Sequence, residues 1–512
     1  MLEKPKILDC TLRDGGYYTN WDFKPEVIKN YLKAIESLPI EYIEIGYRNL
    51  KEIGYKGEFY YSPINTIDNI KKITSKKLVI ILNERDLDID QIKKLIKPCT
   101  GKIEMIRLAT DPININQAKK KSIEISKMGF KVVLNVMYLS KWINETKIHQ
   151  KLKNIEDYTD YLYLVDSYGS VYPKELKKII RIIKKSSKVK IGFHGHNNLE
   201  LAVANTMVAI EEGIEIVDST IMGMGRGSGN LKTELLLSTL SKNYEINFDL
   251  LSKTLEDFQK LKTKYEWGTN LSYMIAGVHG IPQKKIMEWL NTKFYNLTNV
   301  VKVLNENLNK VEKESFFPFQ FKKKVEKTMI IGGGHSVPSH LKAILNFLEN
   351  NRDIVLIFSS ARHLKHFDYL KNDKFLCLIG NENKRFEENQ KESYYSNLKI
   401  VLPPKPREMG TYIPKGWRQK VMELKEISFN NNNLINHCSI SLEIANQIGN
   451  TINYLIGFDG YDLNSFSEKH KSLFFENQKV FDSALENKMS LISLVPTRYS
   501  IKSICSIYSL IH

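Results

Sequence analysis

Short apolar, β-branched runs recur through the first half of the chain at Ile7–Cys10, Tyr42–Ile45, Leu78–Leu82, Ile103–Leu108, Lys131–Val136, Tyr161–Val165, Val189–Phe193 and Ile214–Val217. Between them lie segments whose apolar residues return at helical spacing, such as Glu26–Ser37, Ile115–Met128, Pro173–Lys185 and Leu199–Glu212. Short runs read as buried strands and the longer periodic segments as amphipathic helices. Eight strand–helix units in succession are what a (β/α)8 (TIM) barrel of ~250 residues requires. No phosphate-binding glycine turn follows the first run, which favours the closed barrel over an open doubly wound sheet. Polar residues gather at or just after the runs: Arg13 and Asp14, Glu44, Tyr47 and Arg48, Asn83 and Glu84, Arg107, Asn135, Asp166 and Ser167, His194 and His196, Ser219. In such a barrel the strand C-termini form the face on which active sites are built.

Beyond the eighth run the pattern changes. Residues 241–320 read as a helical extension of the 1–240 barrel, with helices over Phe248–Lys264 and Gln283–Lys293 interrupted by Trp267-Gly268-Thr269-Asn270. Residues 321–512 read as a second, Rossmann-like α/β domain with strands at Met329–Ile331, Ile354–Phe358, Phe375–Ile379, Leu398–Val401 and Ile452–Ile456. Two glycine turns follow strands there, Ile331-Gly332-Gly333-Gly334-His335-Ser336 and Gly457-Phe458-Asp459-Gly460-Tyr461-Asp462, and a sugar nucleotide is the candidate ligand. A glycine turn alone equally suits a purely structural appendage.

Composition narrows the classes. The formal charge is +17, but the lysines are spread along helical stretches such as Lys119–Lys121 and Lys184–Lys185, which predicts a solvated basic surface and no nucleic-acid footprint. No apolar run approaches the ~18–20 residues of a membrane span. The five cysteines are scattered and lack CxxC spacing, against a disulfide scaffold or a thiolate zinc site. With no apolar signal core at the start, a cytoplasmic protein is expected.

The strongest local signal is Phe193-His194-Gly195-His196-Asn197-Asn198. Side chains at i and i+2 of a strand share a face, so both imidazoles point into the barrel mouth, where closure also brings Asp14 from the first strand. Two imidazoles and one carboxylate leave coordination positions open, as a catalytic metal site needs. After the eighth strand comes Gly223-Met224-Gly225-Arg226-Gly227-Ser228-Gly229-Asn230, either a tight turn or backbone close to a substrate, with Asn230 available to the metal. Arg13 beside Asp14 is read evenly as an ion pair or a charge stabiliser.

These segments resemble a family. Thr11-Leu12-Arg13-Asp14-Gly15-Gly16, His194-Gly195-His196-Asn197-Asn198-Leu199, and Gly223 to Asn230 followed by Lys232-Thr233-Glu234 look like the three signatures of the metallolyase barrels. That group includes 4-hydroxy-2-oxovalerate aldolase, hydroxymethylglutaryl-CoA lyase and the isopropylmalate and homocitrate synthases. The stretches Ala202-Val203-Ala204-Asn205 and Ala209-Ile210-Glu211-Glu212-Gly213 sit nearest the hydroxy-oxovalerate aldolases. The resemblance covers residues 5–290. It implies a lyase that makes or breaks a carbon–carbon bond through the enolate of a 2-oxo acid such as pyruvate, with an aldehyde as acceptor. It also implies a divalent ion, Mn2+ or Mg2+ with Zn2+ or Co2+ as alternatives, on Asp14, His194, His196 and Asn230, and a homo-oligomer. Arg13 would stabilise the enolate. Glu44 joins the catalytic group, and Arg107, Asn135, Ser167 and Gly225 are assigned to the substrate.

One departure bears on the substrate. The aldolases of this group carry an acid/base histidine shortly after Arg-Asp-Gly, where this chain has Tyr17. Tyr17, a water on the metal, or His279 would take its place, or Tyr17 and Tyr18 simply line the pocket. The leading expectation is an aldolase acting on a sugar-derived aldehyde for a surface glycan. An acyl-CoA synthase of the isopropylmalate kind, a non-haem iron oxygenase, and a sugar-nucleotide-binding scaffold with a degenerate barrel are the rivals.

Overall fold

The computed structural model describes residues 4–511 except 242–245, 292–296, 309–314, 324, 381, 383–384, 388–396, 406, 408–410, 412, 414, 430–434, 450–451 and 462–467. Two compact units form, Met1–Glu288 and Trp289–His512. No helix among the described residues is long and apolar enough to cross a membrane, and the five cysteines are unpaired.

In the first unit β1 (Lys6–Asp9), β2 (Tyr42–Tyr47), β3 (Lys77–Asn83), β4 (Met105–Thr110), β5 (Lys131–Val136), β6 (Tyr161–Asp166), β7 (Lys190–Gly195) and β8 (Ile216–Ser219) close into a parallel barrel. The seam runs from Lys6 opposite Ile216 to Asp9 opposite Ser219. Alternation along the strands sorts side chains into two clusters. Outward-facing Ile43, Ile80, Ile106, Leu134 and Leu164 pack with the surrounding helices. Inward-facing Leu8, Tyr42, Val79, Met105, Val133, Tyr161 and Ile216 fill the barrel. Two residues further along several strands, on the same inward face, the layer turns polar: Glu44, Arg107, Asn135, His194 and Asp218, all buried. The apolar layer plugs the bottom, and the polar layer forms the floor of the mouth.

Most strands run further toward the mouth than the apolar pattern predicts. β7 reaches Gly195 rather than Phe193, and β8 reaches Ser219 rather than Val217. The backbone ladder continues while inward side chains switch to polar, so hydrophobicity marks the end too early. Arg13 and Asp14, expected at the end of the first strand, lie instead on a helix over Thr11–Thr19, whose first turn closes when Asp14 N donates to Cys10 O at 2.9 Å. Gly15 and Gly16 are poor helix formers, but close packing requires them. A Cβ on Gly16 would lie 2.1 Å from the Trp21 ring, and one on Gly15 2.6 Å from Met224 Sδ.

The second unit is built on one eight-stranded parallel sheet. Its strands are β9 (Phe317–Pro318), β10 (Lys327–Ile331), β11 (Val355–Phe358), β12 (Lys374–Cys377), β13 (Leu398–Leu402), β14 (Val421–Glu423), β15 (Ile452–Ile456) and β16 (Ser490–Ser493). The order is β16-β15-β10-β11-β12-β13-β14-β9. Both faces are covered: Met329, Ile331 and Leu356 lie in one core, Ile330, Val355 and Ile357 in another. Burial on two faces explains why these strands read as continuous apolar runs. This is the expected barrel followed by an α/β domain. β9, β14 and β16 are short or polar and did not register in the sequence pattern.

Candidate active site

The polar floor is one connected network. Arg13 Nε donates to Glu44 Oε2 at 2.7 Å, while its Nη1 pairs with Asp14. Arg107 Nη1 lies 3.3 Å from the same Glu44 oxygen, and its Nη2 donates to Asp218 Oδ2 at 2.8 Å. Asp218 Oδ2 is also 2.8 Å from His194 Nδ1, and His194 Nε2 faces Asp14 Oδ2 at 3.7 Å, which closes a ring. Arg107 Nε donates to Asn135 Oδ1 at 3.1 Å, and the guanidinium stacks 4.2 Å from the Tyr163 ring. Three carboxylates, Asp14, Glu44 and Asp218, thus face two guanidiniums of the ring, Arg13 and Arg107, and Arg226 adds a third positive charge near Asp14.

Burial alone would raise the Asp14 carboxyl, but Arg13, His194, His196 and Arg226 outweigh it and hold it down to about 2. Burial, and next the neighbouring His194, push His196 well below its usual value, so its imidazole is neutral. Asp218 is lowered as well: burial opposes ionisation, but Arg107 and the bond to His194 prevail. His196 Nδ1 and Asn230 Oδ1 are buried without a hydrogen-bond partner, as are Glu44 Oε1 and Asp218 Oδ1 in the ring itself. The backbones of His196 and Asn230 are bridged, and Asn230 Nδ2 donates to Asp14 Oδ2 at 2.6 Å. A carboxylate, two imidazoles and an amide oxygen, with unmet bonding capacity on His196 and Asn230, suit a divalent cation.

Among the described residues, the three whose potential ligand atoms all lie within 4.8 Å of one another are Cys10, His194 and Asp218, and not Asp14, His194 and His196. Burial, and then Asp14, raise the Cys10 thiol well above its ordinary value, which leaves it protonated and a poor ligand. The 2.8 Å contact from Asp218 instead fixes the His194 ring so that Nε2 faces Asp14.

A cavity of about 440 Å³ opens above the floor, and Arg13, Tyr17, Asn135, Ser167, His194 and His196 line it. Ser167 Oγ accepts from Tyr138 N at 2.8 Å. The Tyr17 and Tyr47 hydroxyls lie 2.7 Å apart. Glu44, Arg107 and Asp14 are fully buried beneath the cavity and reach it only through their partners. Gly225 acts by lacking a side chain, since a Cβ there would lie 2.7 Å from Asn230 Nδ2. His279 is exposed at the end of a helix over Leu271–Val278 and does not line the cavity.

Sequence reasoning assigned no role to Asp218, Arg226 or Gln283, and placed Tyr47 only among the polar residues after the second run. Asp218 had a signal: it follows Ile216 by two on an inward face. Arg226 had one too, as the cation inside the glycine loop. Gln283, which lines the cavity and donates to Asn198 Oδ1 at 2.7 Å, comes from beyond the barrel and had none. Asn198 also accepts from Ser228 and donates to Tyr273 O, so the His194–Asn198 segment ties down the loops around the mouth.

In the second unit the glycine turns follow β10 and β15, adjacent strands where the sheet order reverses, the usual ligand position in open α/β sheets. Their polar groups are engaged with one another. Gly334 N donates to Gly457 O at 2.9 Å, Ser336 N to Asp459 Oδ2 at 2.9 Å, and Arg362 Nη1 to Gly333 O at 2.9 Å. Asp462 lies outside the described residues.

A closed parallel barrel carrying this acidic, imidazole-bearing ring at its C-terminal mouth has the architecture of the metallolyase TIM barrels. The chain belongs to the HMGL-like family, which matches residues 4–262. It is 30% identical over 259 residues to a 4-hydroxy-2-oxovalerate aldolase of Carboxydothermus hydrogenoformans, covering 49% of this chain and 75% of that one. The corresponding aldolase of Geobacillus thermodenitrificans is 29% identical over 244 residues, covering 46% and 69%. Among solved structures, the N-terminal domain of a putative aldolase from Bacteroides vulgatus is 44% identical with a TM-score of 0.55, covering 58% of this chain and 99% of that one. The relatives support an enzyme of the aldolase or lyase type.

Proposed function

We propose that the barrel mouth is a divalent-metal aldolase site that forms or cleaves a carbon–carbon bond between a 2-oxo acid and an aldehyde. The observation that carries this is the set of buried atoms without hydrogen-bond partners at the mouth, His196 Nδ1 and Asn230 Oδ1 among them, beside the Asp14–His194 contact. Asp14, His194, His196 and Asn230 are the residues that would hold the cation. A divalent ion there, Mn2+ or Mg2+ with Zn2+ or Co2+ as alternatives, supplies the Lewis acidity that makes the methyl protons of pyruvate removable.

The chain's own groups do the rest. Arg13 is fixed from both sides by Asp14 and Glu44, so its charge is already in place for the oxygen that becomes negative as the methyl proton leaves. Glu44 acts through Arg13 and Arg107, and Asp218 through His194. Asn135 and Ser167 offer polar contacts for the acid's carboxylate. Tyr17 Oη, paired with Tyr47 Oη, hands a proton to the alkoxide of the new alcohol and takes it back in cleavage. The upper wall includes Asn83, Glu84, Asp111 and Asn114, which suits a hydroxylated, sugar-derived aldehyde. At the second unit's switch point a sugar nucleotide remains the candidate ligand on topology alone.

The test is binding of divalent metal by purified protein together with exchange of pyruvate methyl protons into deuterated water. His194→Ala should abolish both while the fold persists, and stoichiometric metal in that variant would overturn the ligand assignment. Arg13→Ala should retain metal and slow exchange by roughly 10²–10³-fold, the effect of removing one oxyanion donor.

A further inference from the structure

Four cations line the cavity: Arg13, Arg85, Arg226 and Lys284. Three of them have a carboxylate within 4.0 Å. Arg13 is held by Asp14 and Glu44, Arg85 lies 3.3 Å from Asp86 Oδ1, and Lys284 lies 3.9 Å from Glu288 Oε1. Arg226 has no hydrogen-bond acceptor or carboxylate among the described residues. Its guanidinium rests 4.7 Å over the Tyr17 ring, and its Nε is shut away from solvent without a partner.

A guanidinium presents five donors in a fixed fork, and a shielded donor with no acceptor is unfavourable. The arrangement is not loose. Arg226 is flanked by glycines, and the loop's own packing leaves the following glycine no room for a side chain: a Cβ on Gly227 would lie 2.5 Å from Gln283 Oε1. The ring face of Tyr17 accommodates the cation without neutralising it. The loop thus holds a half-buried positive fork at the cavity wall, with its Nε shielded from solvent and unmet.

We infer that Arg226 is the anion receptor for the acceptor aldehyde, and that the acceptor carries a carboxylate or phosphate in addition to its carbonyl. This rests on the aldolase reading for what the cavity does. The 2-oxo acid belongs beside Asp14, His194 and His196. Arg226 stacks on Tyr17, the residue that serves the acceptor's oxygen, and so marks the acceptor's side of the cavity. It is a specificity-determining residue that selects by charge and fork geometry.

The experiment reads binding without turnover, using unreactive mimics on the full-length protein. Glycerol 3-phosphate and 4-hydroxybutyrate are compared with the neutral glycerol and butane-1,4-diol by calorimetry, with and without pyruvate. The anionic mimics should bind measurably and the neutral ones at least about tenfold more weakly, as expected for loss of a charge-assisted hydrogen bond. Arg226→Met should erase the difference and Arg226→Lys should keep part of it, with thermal melting showing that each variant is folded. Equal binding of charged and neutral mimics, or undiminished binding by Arg226→Met, overturns the inference. Displacement of the anionic mimics by pyruvate overturns it too, because the fork would then serve the donor's carboxylate. Failure of the aldolase reading has a separate signature: no pyruvate proton exchange by the wild-type protein while mimic binding through Arg226 persists.

Discussion

Arg107 has no exposed surface, and its guanidinium joins Glu44 to Asp218 across the barrel. Removing one member of a buried ion network leaves its partners charged and unpaired, a loss of about 3–5 kcal/mol. Arg107→Met should therefore lower the urea midpoint strongly, and adding Glu44→Gln should recover part of the loss. Asp218→Asn makes a different case: the fold is kept but the His194 ring loses its charged anchor, so metal affinity measured by titration should fall about 10–100-fold. Lys374, buried on β12, gives a pH signature. Burial pulls its ammonium down to about 8, although Asp368 and Asp373 oppose the shift. The unfolded lysine titrates near the ordinary 10.5, so folding releases a proton between those values. Stability then rises as pH climbs from about 8 to 10.5 and is lowest below that window. Lys374→Met should melt higher at neutral pH and show a flatter profile across the window. Arg13, Asp14, His194, His196 and Asn230 drew attention in the sequence because they stand in local motifs. Asp218 and Arg226 carried weaker signals, an inward position and a cation in a glycine loop, whose meaning depends on which side chains meet them across the mouth.

At the level of elements, strand and helix alternation could be read almost unit by unit, since burial on one or two faces imposes its period on the sequence. The ends were harder to place. Hydrophobicity vanishes where the inward face turns polar, although the ladder continues, as in β7 and β8. The Thr11–Thr19 helix was hidden by two glycines, whose reason is the nearby Trp21 ring and Met224. The loop after β8 follows the same logic. Gly229 has φ +78°, and a Cβ there would lie 2.1 Å from Gly223 O. A left-handed conformation is unfavourable for alanine by about 1–2 kcal/mol even without that contact. Gly229→Ala should therefore shift the loop and move Asn230, lowering metal occupancy in elemental analysis with little change in overall helix content.

At the scale of the whole molecule, the site groups described here all fall within Met1–Glu288, and the Bacteroides vulgatus relative yielded a crystal structure as an N-terminal domain alone. A chain ended after Asn291 should fold and exchange pyruvate protons as the full chain does. A soluble, metal-bearing truncation without the exchange shown by the full chain would mean that the second unit contributes to the chemistry. That an α/β domain follows the barrel was legible from the new strand pattern that begins at Met329–Ile331, whereas the sheet order of the second unit was not, since period alone does not say which strands are neighbours. The charged ring at the barrel mouth has a consequence for how the protein is made. Glu44 and Arg107 leave the ribosome well before Asp218, which follows Arg107 by 111 positions. Until β8 is synthesised and zips against β1, Arg107 lacks one of its two counter-ions, and His194 has nothing to hold its ring. An incomplete barrel therefore cannot assemble the proposed metal site, so metal capture during translation would report the moment at which the last strand closes the circle.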